Sequence, residues 1–147
     1  MIIPFVTMHD STRKLVDWLT DELVSRNVSV EQFNLVTADT GKLVMSLLDA
    51  ATVVLGTPTM LAEPQPLVAY AAMLINALRP PTRFLSIVGS FGWGGRTVEI
   101  LKRILKNVKA EFIKTLLVKG HPRDEARKAI SVFASLIKSR HKSASLI

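Results

Sequence analysis

The chain has 147 residues, of which 48% are apolar and 21% charged, with no cysteine and a net charge of +7. That is the length of one domain, here spanning 1–147, with enough apolar surface to bury a core. Without cysteine there is no disulfide, thiolate metal site or cysteine nucleophile, a usage in keeping with a reducing, cytoplasmic setting.

The charge is uneven. Residues 1–95 hold six Lys/Arg against eight Asp/Glu, whereas residues 96–147 hold thirteen against four. The basic excess therefore belongs to the C-terminal third. It reads first as a solvated helix surface and second as a face that steers an acidic partner. The opening Met-Ile-Ile-Pro-Phe-Val has neither the basic start nor the long apolar core of a signal peptide. No apolar run reaches the ~20 residues of a membrane span, and His9, His121 and His141 are too scattered to suggest a metal cluster.

In chain order, the elements alternate. Ile2–Val6 reads as a short strand, and Arg13–Ser25 places Leu15, Val16, Leu19 and Leu23 at helical spacing. Val28–Asn34 reads as a half-covered strand, Gly41–Leu48 as a short helix, and Thr52–Leu55 as a β-branched strand closed by Gly56. Leu67–Leu78 is an Ala-rich helix stopped by Arg79-Pro80-Pro81, and Phe84–Val88 is a strand ended by Gly89-Ser90. Thr97–Val108 is helical, with Val98, Leu101, Leu105 and Val108 inward and Lys102, Lys106 and Lys109 outward. Phe112–Val118 is the last strand and Asp124–Arg140 the last helix, with Ala126, Ile130, Phe133 and Ile137 inward. This alternation predicts a parallel sheet covered on both faces through right-handed crossovers. Such sheets bind ligands beyond the C-terminal strand ends, at the switch point in strand order.

Three loops at those ends carry the chemistry. After the first strand, Thr7-Met8-His9-Asp10-Ser11-Thr12 sets hydroxyls and a row of backbone N–H groups at a helix N-terminus, the recipe for holding a phosphate. The plainer alternative is that Asp10 or Ser11 simply caps the helix. After the third strand, Gly56-Thr57-Pro58-Thr59-Met60-Leu61 and the following Glu63-Pro64-Gln65-Pro66 make a proline-stiffened loop with an apolar tip. Met60 and Leu61 either line a ligand or turn back into the core. After the fourth strand, Gly89-Ser90-Phe91-Gly92-Trp93-Gly94-Gly95 sets two aromatics among glycines, outside any periodic pattern. A flat aromatic ligand against Trp93 is the natural use, and a tight turn with a surface Trp is the alternative. Together the loops describe a site for a phosphorylated planar ring, FMN rather than a dinucleotide.

The runs Thr-Met-His-Asp-Ser-Thr, Gly-Thr-Pro-Thr and above all Gly-Ser-Phe-Gly-Trp-Gly-Gly resemble the flavodoxin domain of flavodiiron proteins, the A-type flavoproteins. The resemblance runs from the first strand to the Val118-Lys119-Gly120 turn and the last helix. It implies a three-layer flavodoxin-like α/β fold, with a five-stranded parallel sheet in order 2-1-3-4-5 and helices on both faces. By this resemblance Thr7, Met8, His9, Asp10, Ser11 and Thr12 hold the FMN phosphate. Pro58, Thr59, Met60 and Leu61 line one side of the isoalloxazine, and Ser90, Phe91, Gly92, Trp93, Gly94 and Gly95 line the other. Two positions depart from the family pattern. Leu61 stands where Asn is usual, and Asp10 puts a carboxylate beside the expected phosphate. Full members also carry an N-terminal β-lactamase-like domain with a di-iron site, whereas this sequence begins at the flavodoxin strand. Oxygen or nitric oxide reduction by this chain alone is therefore not expected.

The implied role is electron transfer between a reductase or rubredoxin-like donor and an acceptor such as a separate di-iron protein. The basic C-terminal third suits acidic redox partners, and a homodimer stays open. No acid–base constellation is evident, so the flavin carries the chemistry. A phospho-receiver would need an acceptor Asp at the end of the third strand, where Leu55-Gly56-Thr57 stands. A flavin-less binding or regulatory module using the basic third is the other alternative. That third lacks the interleaved aromatics expected of a nucleic-acid surface, since Phe112 and Phe133 fit core positions.

Overall fold

The computed structural model describes residues 1–60, 63–91 and 95–146, with the backbone alone of Met60. In chain order the elements are β1 (Ile2–Phe5), α1 (Ser11–Val24), β2 (Glu31–Asn34), α2 (Thr40–Asp49), β3 (Thr52–Met60) and β4 (Glu63–Pro64). There follow α3 (Pro66–Leu78), β5 (Phe84–Phe91), α4 (Thr97–Ile104), β6 (Glu111–Phe112), β7 (Leu116–Lys119) and α5 (Asp124–Ser143).

The sheet runs β2-β1-β3-β5, and its last position is shared by β6 and β7. β1, β2, β3, β5, β6 and β7 all pair in parallel. The expected order of five strand positions is therefore present, with two amendments. The fifth strand is broken by one extra residue, since β5 pairs Leu85 with Phe112 but Val88 with Leu116, and within the break the Ser86 hydroxyl donates to the Lys114 carbonyl at 2.6 Å. In addition, β4 folds back antiparallel on β3, pairing Thr59 with Pro64, so the sheet is not wholly parallel.

Two clusters of buried side chains sandwich the sheet. One packs α1 and α5 beneath β1, β3 and β5 through Leu15, Leu19, Ile130, Phe133 and Ile137. The other packs α2, α3 and α4 on the opposite face through Leu43, Leu47, Val68, Ile75 and Leu101. Each such fully buried aliphatic stabilises the fold by about 1.5–3 kcal/mol. The helix ends follow local chemistry. Asp39 caps α2, its carboxylate accepting from the Gly41 and Lys42 N–H groups at 2.7 and 3.3 Å. Gln65 does the same for α3, with Pro66 at the first helical position. Arg79 ends α3 in the left-handed region, before two prolines.

β3 and β5 extend well past their expected ends. Pairing continues through Thr57↔Gly89 and Pro58↔Ser90. Pro58 is tolerated in a strand because β1 pairs no further than Gly56, which leaves β3 without a neighbour on that side. The stretch Gly56–Met60 is therefore strand, not the proline-stiffened loop expected from its composition, and Pro58 is buried at the extended end of β3.

Candidate functional site

The β1–α1 loop closes over the C-terminal edge of the sheet. Its turn is made by His9 and Asp10 at φ +56° and +61°. Left-handed backbone disfavours most side chains, but Asp and His are among those found there. With Asp10 in this conformation its carboxylate makes no capping hydrogen bond to α1, so the plain N-cap alternative does not hold for Asp10. The loop is instead closed by the Arg13 N–H, which donates to Thr7 Oγ1 at 3.1 Å, and by the Lys14 N–H, which donates to the Asp10 carbonyl at 3.0 Å. Among the described residues, none of the five N–H groups from Met8 to Thr12 donates to a protein acceptor. These donors sit where the α1 macrodipole is positive, which favours an anion there.

The loop is pinned to the strands behind it. Thr12 is fully buried, and its Oγ1 lies 3.5 Å from Ser90 Oγ at the end of β5. Gly56 and Gly89 allow this closeness. A Cβ on Gly56 would meet Phe5 Cβ at 2.7 Å and Val16 Cγ2 at 3.0 Å, and one on Gly89 would stand 1.9 Å from the Thr57 carbonyl oxygen. Both positions admit glycine only, because β1, β3, β5 and α1 converge beneath the site.

Further bonds tie the remaining walls together. The Thr59 and Thr97 hydroxyls share a hydrogen bond at 2.9 Å, joining β3 to the start of α4. Thr57 Oγ1 donates to the Pro58 carbonyl and accepts from the Gln65 N–H. Phe91 is half-buried at the end of β5, and its carbonyl accepts from the Gly120 N–H at 2.8 Å. Gly95 is exposed beside the start of α4.

The structure thus brings Thr7–Thr12, Thr59, Ser90 and Phe91 to one edge of the sheet. Leu61, Gly92, Trp93 and Gly94, together with the Met60 side chain, lie outside the described residues. One neighbour of this edge was not singled out from the sequence. The loop after β7 presents His121, whose Nδ1 lies 3.3 Å from Ser11 Oγ at the α1 N-terminus. Its signal in the sequence was faint: a lone histidine after the strand-ending Lys119-Gly120, with Gly120 at φ +69°.

Charges around this edge are mostly positive. Arg13, Arg96, Lys119 and Arg123 are exposed there, against Asp10 and Glu63. The Arg13 guanidinium lies 5.7 Å above the Phe5 ring. With Lys42 it lines a cavity of about 330 Å³ beside the phosphate-type loop.

No family profile matches the chain. Among curated proteins, a nitric oxide reductase of Moorella thermoacetica is 34% identical over 112 residues, which covers 76% of this chain and 28% of that protein. Among solved structures, the flavodiiron protein of Giardia intestinalis superposes with a TM-score of 0.86 at 19% identity, covering 97% of this chain and 36% of that one. An archaeal flavodoxin superposes with a TM-score of 0.79 at 16% identity, covering 97% of this chain and 99% of that one. At these identities the structural likeness establishes the fold. The chain spans about a quarter to a third of the length of the curated relatives it matches. Fold, loop sequences and relatives agree: the chain is a flavodoxin-like α/β domain of the kind carried by the flavodiiron proteins.

Proposed function

We propose that this domain binds FMN and passes electrons between a reductase or rubredoxin-like donor and an acceptor such as a separate di-iron protein. The observation that carries the reading is the row of five N–H groups, Met8 to Thr12, at the N-terminus of α1, which donate to no protein acceptor among the described residues. A phosphate monoester supplies the acceptors this row lacks. The donor set fits that group: five amides, with the Thr7 and Ser11 hydroxyls beside them and no glycine-rich dinucleotide turn. The Asp10 carboxylate opposes the phosphate only weakly, because it is exposed, makes no cap bond to α1 and is screened by solvent.

When bound, FMN supplies one- and two-electron redox chemistry. The protein's own part is positioning. The loop from Thr7 to Thr12 would anchor the phosphate, the Thr12–Ser90 contact fixes that loop against the sheet, and Phe91 would border the ring. Pro58, Thr59, Met60 and Leu61 would border it from the β3 side, and Gly92, Trp93, Gly94 and Gly95 from the β5 side. The basic rim of Arg13, Arg96, Lys119 and Arg123 would steer acidic redox proteins to the flavin edge. The reading places this carrier in the cytoplasm, where a cysteine-free chain needs no oxidising compartment to fold. No helix among the described residues is long and apolar enough to cross a membrane.

The test is titration of the purified protein with FMN. The expected result is quenched flavin fluorescence and a shifted flavin absorption band, saturating at one FMN per chain. Unchanged spectra at saturating FMN would overturn the reading.

A further inference from the structure

The β7–α5 loop brings to the N-terminus of α1 a side chain that the phosphate anchor described above does not include. β7 pairs with β5 as far as Phe91↔Lys119. Gly120 then turns the chain at φ +69°, and its N–H donates to the Phe91 carbonyl. Pro122 is buried two residues on. α5 follows and packs against α1 through Leu15, Leu19, Ile130 and Phe133. His121 is thus held between two anchored residues beside the first turn of α1. Its ring is exposed, and its Nδ1 lies 3.3 Å from Ser11 Oγ.

The hydroxyls of the β1–α1 loop are engaged differently. Thr7 Oγ1 accepts from the Arg13 N–H, which leaves its own proton to donate elsewhere. Thr12 Oγ1 is buried against Ser90. Ser11 is half-buried, and its hydroxyl meets His121. A serine hydroxyl has one proton, and a neutral imidazole has one donor nitrogen and one acceptor nitrogen. Where the Ser11 hydroxyl donates to Nδ1, it has no proton left for a ligand. Where Nδ1–H donates to Ser11 Oγ, the Ser11 proton is released. A phosphate oxyanion only accepts, so it selects the second arrangement. Its negative charge also favours a proton on the facing ring nitrogen.

The charges around the ring are of both signs. Arg13, Lys119 and Arg123 are exposed, as are Asp10, Asp124, Glu125 and the His9 ring, and the Lys14 ammonium lies 5.1 Å from the Trp18 ring. Exposed charges are screened by solvent and salt. The contact with Ser11, and not the surrounding field, is what ties His121 to the loop.

We propose that His121 positions the Ser11 hydroxyl for the phosphate of the bound flavin. Nδ1–H donates to Ser11 Oγ, and the Ser11 proton is thereby directed to the phosphate. The proposal rests on the FMN reading and adds to its anchor a positioning residue from the far end of the chain. The pair therefore favours FMN over riboflavin, which lacks the phosphate.

Fluorescence titration with FMN and with riboflavin tests it. His121→Ala and His121→Phe should each weaken FMN binding about fivefold, the size of one lost hydrogen bond, and leave riboflavin binding as in the parent. His121→Asn places an amide donor where Nδ1 stands and should recover most of the loss. Ser11→Ala should weaken FMN binding at least as much, and Ser11→Ala with His121→Ala should bind no more weakly than Ser11→Ala alone. In nitrogen NMR of the FMN complex, His121 Nδ1 should give the signal of a protonated nitrogen. If the parent binds FMN but His121→Ala and His121→Phe bind it equally well, the proposal falls and the FMN reading stands. Losses that add in the double variant, equal losses for FMN and riboflavin, no recovery in His121→Asn, or an unprotonated Nδ1 overturn the proposal in the same way. A parent that binds no FMN overturns both.

Discussion

Substitution of Gly89 by alanine tests how closely β3 and β5 approach beneath the site. The added Cβ would stand 1.9 Å from the Thr57 carbonyl oxygen and 3.1 Å from the Thr57 carbonyl carbon. Both atoms are backbone, so no side chain can rotate away. The strands must part by roughly 1 Å to restore ordinary contact, well beyond what rotamer adjustment absorbs in overpacked cores, which costs about 1–3 kcal/mol. That parting strikes the register Thr57↔Gly89 and Pro58↔Ser90, and with it the Thr12–Ser90 contact, already at 3.5 Å. A loss of about 3 kcal/mol or more is expected. For a domain of this length that lowers the melting temperature by roughly 6–12 °C. Gly120→Ala is the control. Its φ is +69° but no atom lies within 4 Å of the added Cβ, so it costs only the left-handed backbone, about 1 kcal/mol. Thermal unfolding by circular dichroism, on protein free of flavin, ranks the two. If Gly89→Ala melts within about 2 °C of the parent, or above Gly120→Ala, the close approach of β3 and β5 is not what orders this edge.

Three further outcomes are expected. Asp10→Gly removes both a left-handed non-glycine residue and a carboxylate beside the anion site. It should tighten FMN binding about fivefold without lowering the melting temperature, as read by flavin fluorescence titration, and weaker binding would show that Asp10 helps hold the ligand. Trp93→Ala should weaken FMN binding about tenfold or more if the indole packs on the ring, whereas an unchanged Kd would remove Trp93 from the site. His141 is buried, stacks on Phe84 and shares a hydrogen bond of 2.5 Å with Thr52 Oγ1. Burial, helped by the N-terminal ammonium, lowers its pKa from the ordinary 6.5. The unfolded chain thus binds a proton that the folded chain refuses. Stability is full above pH 6.5 and falls as pH drops below it, by at most about 1.4 kcal/mol per pH unit. Urea unfolding between pH 5 and 8 should show this slope, and His141→Asn should flatten it.

Much of this domain was legible in its sequence, because the signals involved are local. Periodicity at Leu15, Val16, Leu19 and Leu23 marks an amphipathic helix wherever it sits, and Arg79-Pro80-Pro81 stops a helix whatever follows. Alternation of such elements, with Val- and Ile-rich strands, leaves few topologies, and the parallel order is one of them. Hydroxyls and amides at the start of α1 announced an anion site for the same reason: the four terminal N–H groups of a helix need acceptors.

Tertiary structure decided the rest. Gly56 to Met60 is composed like a loop, yet β5 supplies a ladder to pair with and the absence of β1 beyond Gly56 makes room for Pro58. Whether a carbonyl finds a partner strand is not written in its neighbours along the chain. The break in the last strand is a one-residue slip in its pairing with β5, where the Ser86 hydroxyl satisfies the Lys114 carbonyl. His121 reached Ser11 across 110 residues, a proximity set only by the strand order. The uncharged side of α3 was visible as an Ala-rich helix, but its exposure beside α2 depends on which neighbours cover each flank. Local sequence therefore specified the elements and the loop we propose as the anion site. The fold alone determined, among the described residues, which donors lack a protein acceptor, which strands extend and which apolar side chains are exposed.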